Sequence, residues 1–269
     1  MGGHPPSAPI ILIRVTANNV IYSTKAEPGK EPSQWKVVPF VDVGVGEQFQ
    51  ARFVALADLF NATSGWGVEQ EKSIMDAFWS MVLEGFTPAF LHLRTAISLS
   101  NDPNTPILNL RNEYDGFYSK LWTAYEHRFG DLAQSMGYKI RFLFAENEEN
   151  FEKQSKKFGE QHGIDGAVLA FLGEQRKVWQ NNLANIRNKV VQHAQIPADA
   201  VPMVYKASNA KAYFDNCWQT AEWFAAILMA RHLPESLELA DLPKELTDNG
   251  RKRFAVQFKP HVGFAEGIS

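Results

Sequence analysis

Arg187-Asn188-Lys189-Val190-Val191-Gln192-His193 sets a guanidinium and an imidazole six positions apart, near the end of a long helical pattern. An arginine stays charged at any physiological pH, and its planar fork of donors suits a phosphate. A histidine can take and give a proton near neutrality. Phosphodiester cleavage needs a cationic clamp and a proton-transfer group side by side. This run carries one of each.

Helix geometry tests whether the two can meet. At about 100° per residue, the upstream apolar positions Val168, Leu172, Trp179, Leu183, Ile186 and Val190 fall within roughly 60° of one another, a stripe for a core or an interface. If the helix continues, His193 lies on that stripe, about 20° from Ile186, with Arg187 at its margin. Asn188 then points to the far side, unless the helix bends or ends first. Pro197 forces an end soon afterwards. A His on an apolar stripe is also what a satisfied core or interface residue looks like, and an Arg beside it is often a solvated edge.

An Arg, a polar neighbour and a His after a short gap resemble the signature of the HEPN superfamily of helical domains. Many of its members are metal-independent ribonucleases of toxin–antitoxin, phage-defence and CRISPR systems, and some lack activity. Arg187, Asn188 and His193 match that motif residue by residue, late in a long helix with another to follow. The resemblance covers roughly residues 105–233. It implies a helical bundle in which sites from two protomers face each other across a symmetric interface. His193 would move the proton, Arg187 would stabilise phosphate charge, and Asn188 would orient the phosphate.

Residues 1–9 are rich in Gly and Pro and are expected to be disordered. Ile10 to Thr16, Val20 to Thr24 and Trp35 to Val43 read as strands, with a hairpin turn at Ala17-Asn18-Asn19. Helical patterns follow from Glu47, over 68–84, from Pro88 to Asn101, and over about 106–136, with Gly137 as a stop. Tyr138 to Ala145 reads as a strand or extended connector, and an acidic helix comes next. The motif helix is expected from Asp165 to His193. Its partner over 208–232 should face Tyr213, Trp218, Phe224 and Leu228 inwards. Arg253 to Lys259 could add a strand to the N-terminal sheet.

The expected fold is therefore mainly α: a HEPN-like bundle over 105–233, after a β and helical region over 10–104 and before an extension over 234–269. A chain of 269 residues can bury a sizeable core. Its single cysteine, Cys217, excludes an internal disulfide and suits a reducing compartment, so a cytoplasmic location is expected. No apolar run is long enough to span a bilayer, and the Pro-Ile-Ile-Leu-Ile run does not read as a secretory signal. A net charge of -3 argues against a general nucleic-acid coating protein, although a local basic cleft could still exist. Candidate basic surfaces are Arg176 with Lys177, Lys153 with Lys156 and Lys157, and Arg251-Lys252-Arg253.

Other chemistries find little support. P-loop, Rossmann and nucleophile-elbow patterns are missing, as are His-Glu-x-x-His and Glu-x-x-His pairs. His127 and Asp131 share a helical face but make only half a metal site. Glu126, Tyr114 and Arg111 could line a cleft beside the motif helix. The expectation is a dimeric endoribonuclease acting as toxin or defence effector on RNA, with no metal or cofactor, no membrane partner, and an antitoxin or regulatory protein as a possible partner. The rival is a non-catalytic helical module that binds a nucleotide or a protein, with Arg187 and His193 as packing and interface residues.

Overall fold

The computed structural model describes residues 56, 57, 60, 63, 65–192 and 201–232, plus the backbone of three strands; 190–192 and 230 are described by backbone alone. His193, the segments 1–9 and 234–269, and most of the helix expected from Glu47 lie outside the described residues. The strands β1 (Ile10–Val15), β2 (Asn19–Ala26) and β3 (Lys36–Pro39) pair antiparallel in that order. Val15 pairs with Val20 and Asn19 with Pro39, while a register irregularity separates Ile10 from Leu12. Pro39 has no N–H to give a ladder and stands at the end of edge strand β3. This sheet, with residues up to 63 and 229–232, forms one compact unit; residues 65–228 belong to the other.

The second unit is built of helices, so the described chain is mainly α. Helix α1 runs over 68–100, α2 over 107–135, α3 is Glu148–His162, α4 runs over 166–192, α5 is Val201–Val204 and α6 is Ala207–Ala230. Their ends follow local chemistry. Gly137, at φ +90°, closes α2 by donating to Gln134 O while the Tyr138 N–H reaches Ala133 O, the two bonds of a Schellman stop. Asn147 and Asp165 cap α3 and α4 by accepting from the N–H groups of Asn150 and Ala167.

One helix boundary and one strand reading change here, each for an identifiable reason. The α-helix expected from Pro88 forms as Thr87–Ser100 with the proline in its first turn, but it follows without a break from a widened π-helical stretch, Ser80–Phe86. There the Thr87 N–H bonds to the Val82 carbonyl, five residues back. A wide turn relieves the clash between a proline ring and the carbonyl one turn earlier. Of the strand and connector readings of 138–145 the strand falls: Arg141–Phe144 curl into a 3-10 turn, and the carbonyls of Leu143 and of the following Ala145 receive side-chain donors from α4.

The helix crossings are set by small residues. A side chain added at Gly85 would stand 3.0 Å from the Ala124 Cβ, so the π stretches of α1 and α2 (Ala124–Arg128) meet backbone to backbone. Gly116 lies under the His92 ring, whose Nδ1 pairs with Glu113 at 2.8 Å. At the core centre Tyr125 meets Phe129, Phe144 and Trp179 with ring centroids 5.9, 5.4 and 5.0 Å apart. Such pairs stabilise by about 0.5–1.5 kcal/mol each beyond burial.

Tyr213, Trp218, Phe224 and Leu228 on α6 face inwards as expected, all fully buried. The burial goes further, however: every side chain over 216–228 is enclosed, Glu222 included. A helix covered all round is a central element rather than one half of a pair. Cys217 is part of this interior; burial raises its thiol well above the ordinary range, and its Sγ faces the Leu121 carbonyl. It is a core residue.

Candidate functional site

Helix α4 carries the motif and has two opposite faces. Leu172, Trp179, Leu183 and Ile186 are buried, at most 1% exposed, within the protomer itself. Ile186 therefore packs this chain's own core and is not open to a second copy. On the other face Asn181, Asn185 and Asn188 follow at i, i+4 and i+7, a polar ladder to which apolar periodicity is blind.

The end of α4 is itself a π-helical turn, Arg187–Gln192, packed against α2. A π turn departs from the angular step of an ideal α-helix; His193, and with it the expectation that it lies on the Ile186 stripe, falls outside the described residues. Arg187 is half-buried, and its Nη1 donates to Asn188 Oδ1 at 3.0 Å. Two of the three motif residues are thus in contact. Asn188 keeps to the far side from Ile186, as expected, and opens on a cleft of about 600 Å³ with Asn181 and Asn185.

The opposite wall of that cleft carries Glu126, Phe144 and Glu146. Of the three α2 residues expected beside the motif, only Glu126 fills that role. Tyr114 is fully buried with its hydroxyl 3.3 Å from Ser100, and the Arg111 Nε pairs with Asp115 at 3.5 Å. Asp115 also accepts from the Tyr205 hydroxyl, which is pushed up to about 12 by burial first and by the Asp115 charge second. Burial likewise raises the Asp115 carboxyl, and Arg111 pulls it back in part.

A second cleft, of about 730 Å³, shares the Glu126 and Phe144 walls and continues past His127, Asp131, Lys139 and Arg141. Glu126 takes the indole N–H of Trp122, and His127 Nε2 lies 3.6 Å from the same carboxylate. His127 and Asp131 line one wall together, but no group of three His, Cys, Asp or Glu side chains with metal-binding geometry occurs among the described residues.

The basic surfaces divide. Arg176, expected on a charged face with Lys177, is only 4% exposed. It donates to the carbonyls of Leu143 and Ala145, lies over Phe151 at 5.5 Å, and stands 3.6 Å from Glu148. Its role is to hold the 3-10 turn. Lys177 remains outside and pairs with Glu148 at 3.0 Å. Lys153, Lys156 and Lys157 are exposed on α3, and Arg251-Lys252-Arg253 lie outside the described residues.

No protein-family model, curated protein or solved structure matches this chain. No helix among the described residues is long and apolar enough to cross a membrane.

Proposed function

We propose that the chain is a metal-independent endoribonuclease of HEPN type, a toxin or defence effector whose site is built from Arg187, Asn188 and His193 in a dimer. The observation that carries this reading is the Arg187–Asn188 hydrogen bond on a π-helical turn at the end of a long helix. Departures of this kind from α geometry are frequent at functional sites. The bundle over 105–233 is the catalytic unit, and the N-terminal sheet is an accessory element.

In the reaction His193 removes the proton of a 2'-hydroxyl, whose oxygen bonds to phosphorus while the bond to the 5'-oxygen breaks. A proton returned to that oxygen completes the step and leaves 2',3'-cyclic phosphate and 5'-hydroxyl ends. Arg187 stabilises the charge on the pentacoordinate phosphorus, and Asn188 fixes the guanidinium. A second protomer doubles the cationic charge along the strand. Incubation with total RNA in excess chelator tests the reading: cleavage by wild type and none by His193→Ala supports it, and intact RNA in both overturns it.

A second reading has its own observation. Glu126 and Glu146 give the cleft beside Asn188 an acidic wall, which repels a polyanion. That favours a non-catalytic module whose ligand meets amides and carboxylates. Binding without cleavage of any RNA would establish it.

A further inference from the structure

Phe144 stands half-buried on the saddle between the two clefts, a wall of both. Its ring is braced edge-on by Trp122 and Tyr125, with centroids 6.1 and 5.4 Å away. The backbone beneath it is clamped as well. Arg176 and Gln180, 4% and 2% exposed, both donate to the Leu143 carbonyl, and Arg176 also donates to Ala145 on the far side. Burying a guanidinium is costly, and here two of its nitrogens are spent on the turn while the buried Nε has only Glu148 at 3.6 Å. Spending one on a four-residue turn makes sense when the aromatic side chain at that turn must be held still.

We propose that Phe144 is a stacking platform for a nucleobase, with the amides of Asn181, Asn185 and Asn188 reading its edge and Lys139 and Arg141 taking the adjoining phosphate. The proposal deepens the ribonuclease reading and rests on it for the source of the base. A planar ring with donors and acceptors on its rim fits an aromatic face bordered by carboxamides, which both donate and accept. The two cations sit on the opposite side of the platform from the amides, exposed and aligned with the second cleft. The carboxylates of the groove are partly compensated. Glu148 is paired with Lys177 and faces Arg176, and Glu126 accepts the Trp122 N–H. Glu146 lines only the cleft that holds the amides and disfavours a phosphate on that side.

The test uses a mixed-sequence 2'-O-methyl RNA decamer, which cannot be cleaved because the 2'-oxygen is blocked, together with adenosine monophosphate. Binding is followed by anisotropy for the decamer and by calorimetry for the mononucleotide. Phe144→Leu keeps apolar volume without a π face, and Asn185→Ala alters only an exposed amide. Each is expected to weaken binding by about tenfold or more, and Arg141→Glu to reduce its salt dependence as well. Decamer binding alone identifies a strand, and mononucleotide binding identifies a free nucleotide; both uphold the platform. Unchanged affinity in Phe144→Leu and Asn185→Ala, no binding of either probe, or binding of an oligoarginine peptide to this groove in their place overturns it. Since the decamer cannot be cut, Phe144-dependent binding by a wild type that leaves unmodified RNA intact would refute the ribonuclease reading alone.

Discussion

Arg187 and Asn188 are joined through their side chains, Nη1 to Oδ1 at 3.0 Å, on a π-helical turn. The bond assigns the amide oxygen to the guanidinium. The same residue lines the cleft of about 600 Å³, so one side chain joins the cation to that cleft.

Replacing that amide by a carboxylate should separate charge from shape. Asn188→Asp keeps the size and the acceptor but sets a negative charge against Arg187. Cleavage is expected to fall about a hundredfold, with a melting temperature close to wild type because the side chain is exposed. Equal rates in single-turnover assays would remove Asn188 from the site.

Arg176 offers a stability test. Arg176→Ala leaves the Leu143 and Ala145 carbonyls without their donors from Arg176 and strips the cover from Phe151. Destabilisation of about 3 kcal/mol is expected, read from urea unfolding. Arg176→Lys should recover only a part, since an ammonium has no planar fork to span both carbonyls. A surface-like loss below about 0.5 kcal/mol would show that the turn holds itself.

How much of this was legible in the sequence depends on the physical signal behind each feature. Gly137, Asn147 and Asp165 end or begin helices through local chemistry, and such signals survive in any context. The buried stripe from Leu172 to Ile186 followed from the 3.6-residue period. The π turns carry no such signal, because a widened turn leaves the residue types unchanged and only shifts their angles, so the unbroken junction before Pro88 is not legible. Arg176 looked like a surface cation because its partners are carbonyls 31 and 33 residues away. Tyr138 to Ala145 has strand-like composition, yet the donors of Arg176 and Gln180 decide its shape. Arg187 and Asn188 stand out by residue type and spacing, whereas the place of Phe144 between two clefts depends on the tertiary structure and leaves no mark on the sequence.

Burial of Ile186 changes the expected effect of a charge there. A dimer-breaking role is excluded for this side chain, which is fully enclosed within one chain. Ile186→Glu should cost about 4 kcal/mol or more and appear as loss of cooperative unfolding by circular dichroism. A folded monomer in light scattering would contradict the placement.

Alkaline stability follows from the tyrosines. Burial holds Tyr118 and Tyr125 well above the ordinary phenol value, and Tyr205 is pushed up to about 12. Above pH about 10 the unfolded chain loses these protons while the folded one keeps them, so stability falls as pH rises through that window. Melting temperature should drop steeply between about pH 10 and pH 12, and less steeply in Tyr205→Phe. A flat profile would mean that these hydroxyls are solvated.

End-group analysis of RNA incubated with wild type and with the Arg187→Ala/His193→Ala double variant, both in excess chelator, decides whether Arg187 and His193 cleave RNA without a metal. Wild type is predicted to leave 2',3'-cyclic phosphate and 5'-hydroxyl ends, and the double variant to leave the RNA intact. Cleavage by the double variant at the wild-type rate, or cleavage only after magnesium or manganese is restored, would contradict it.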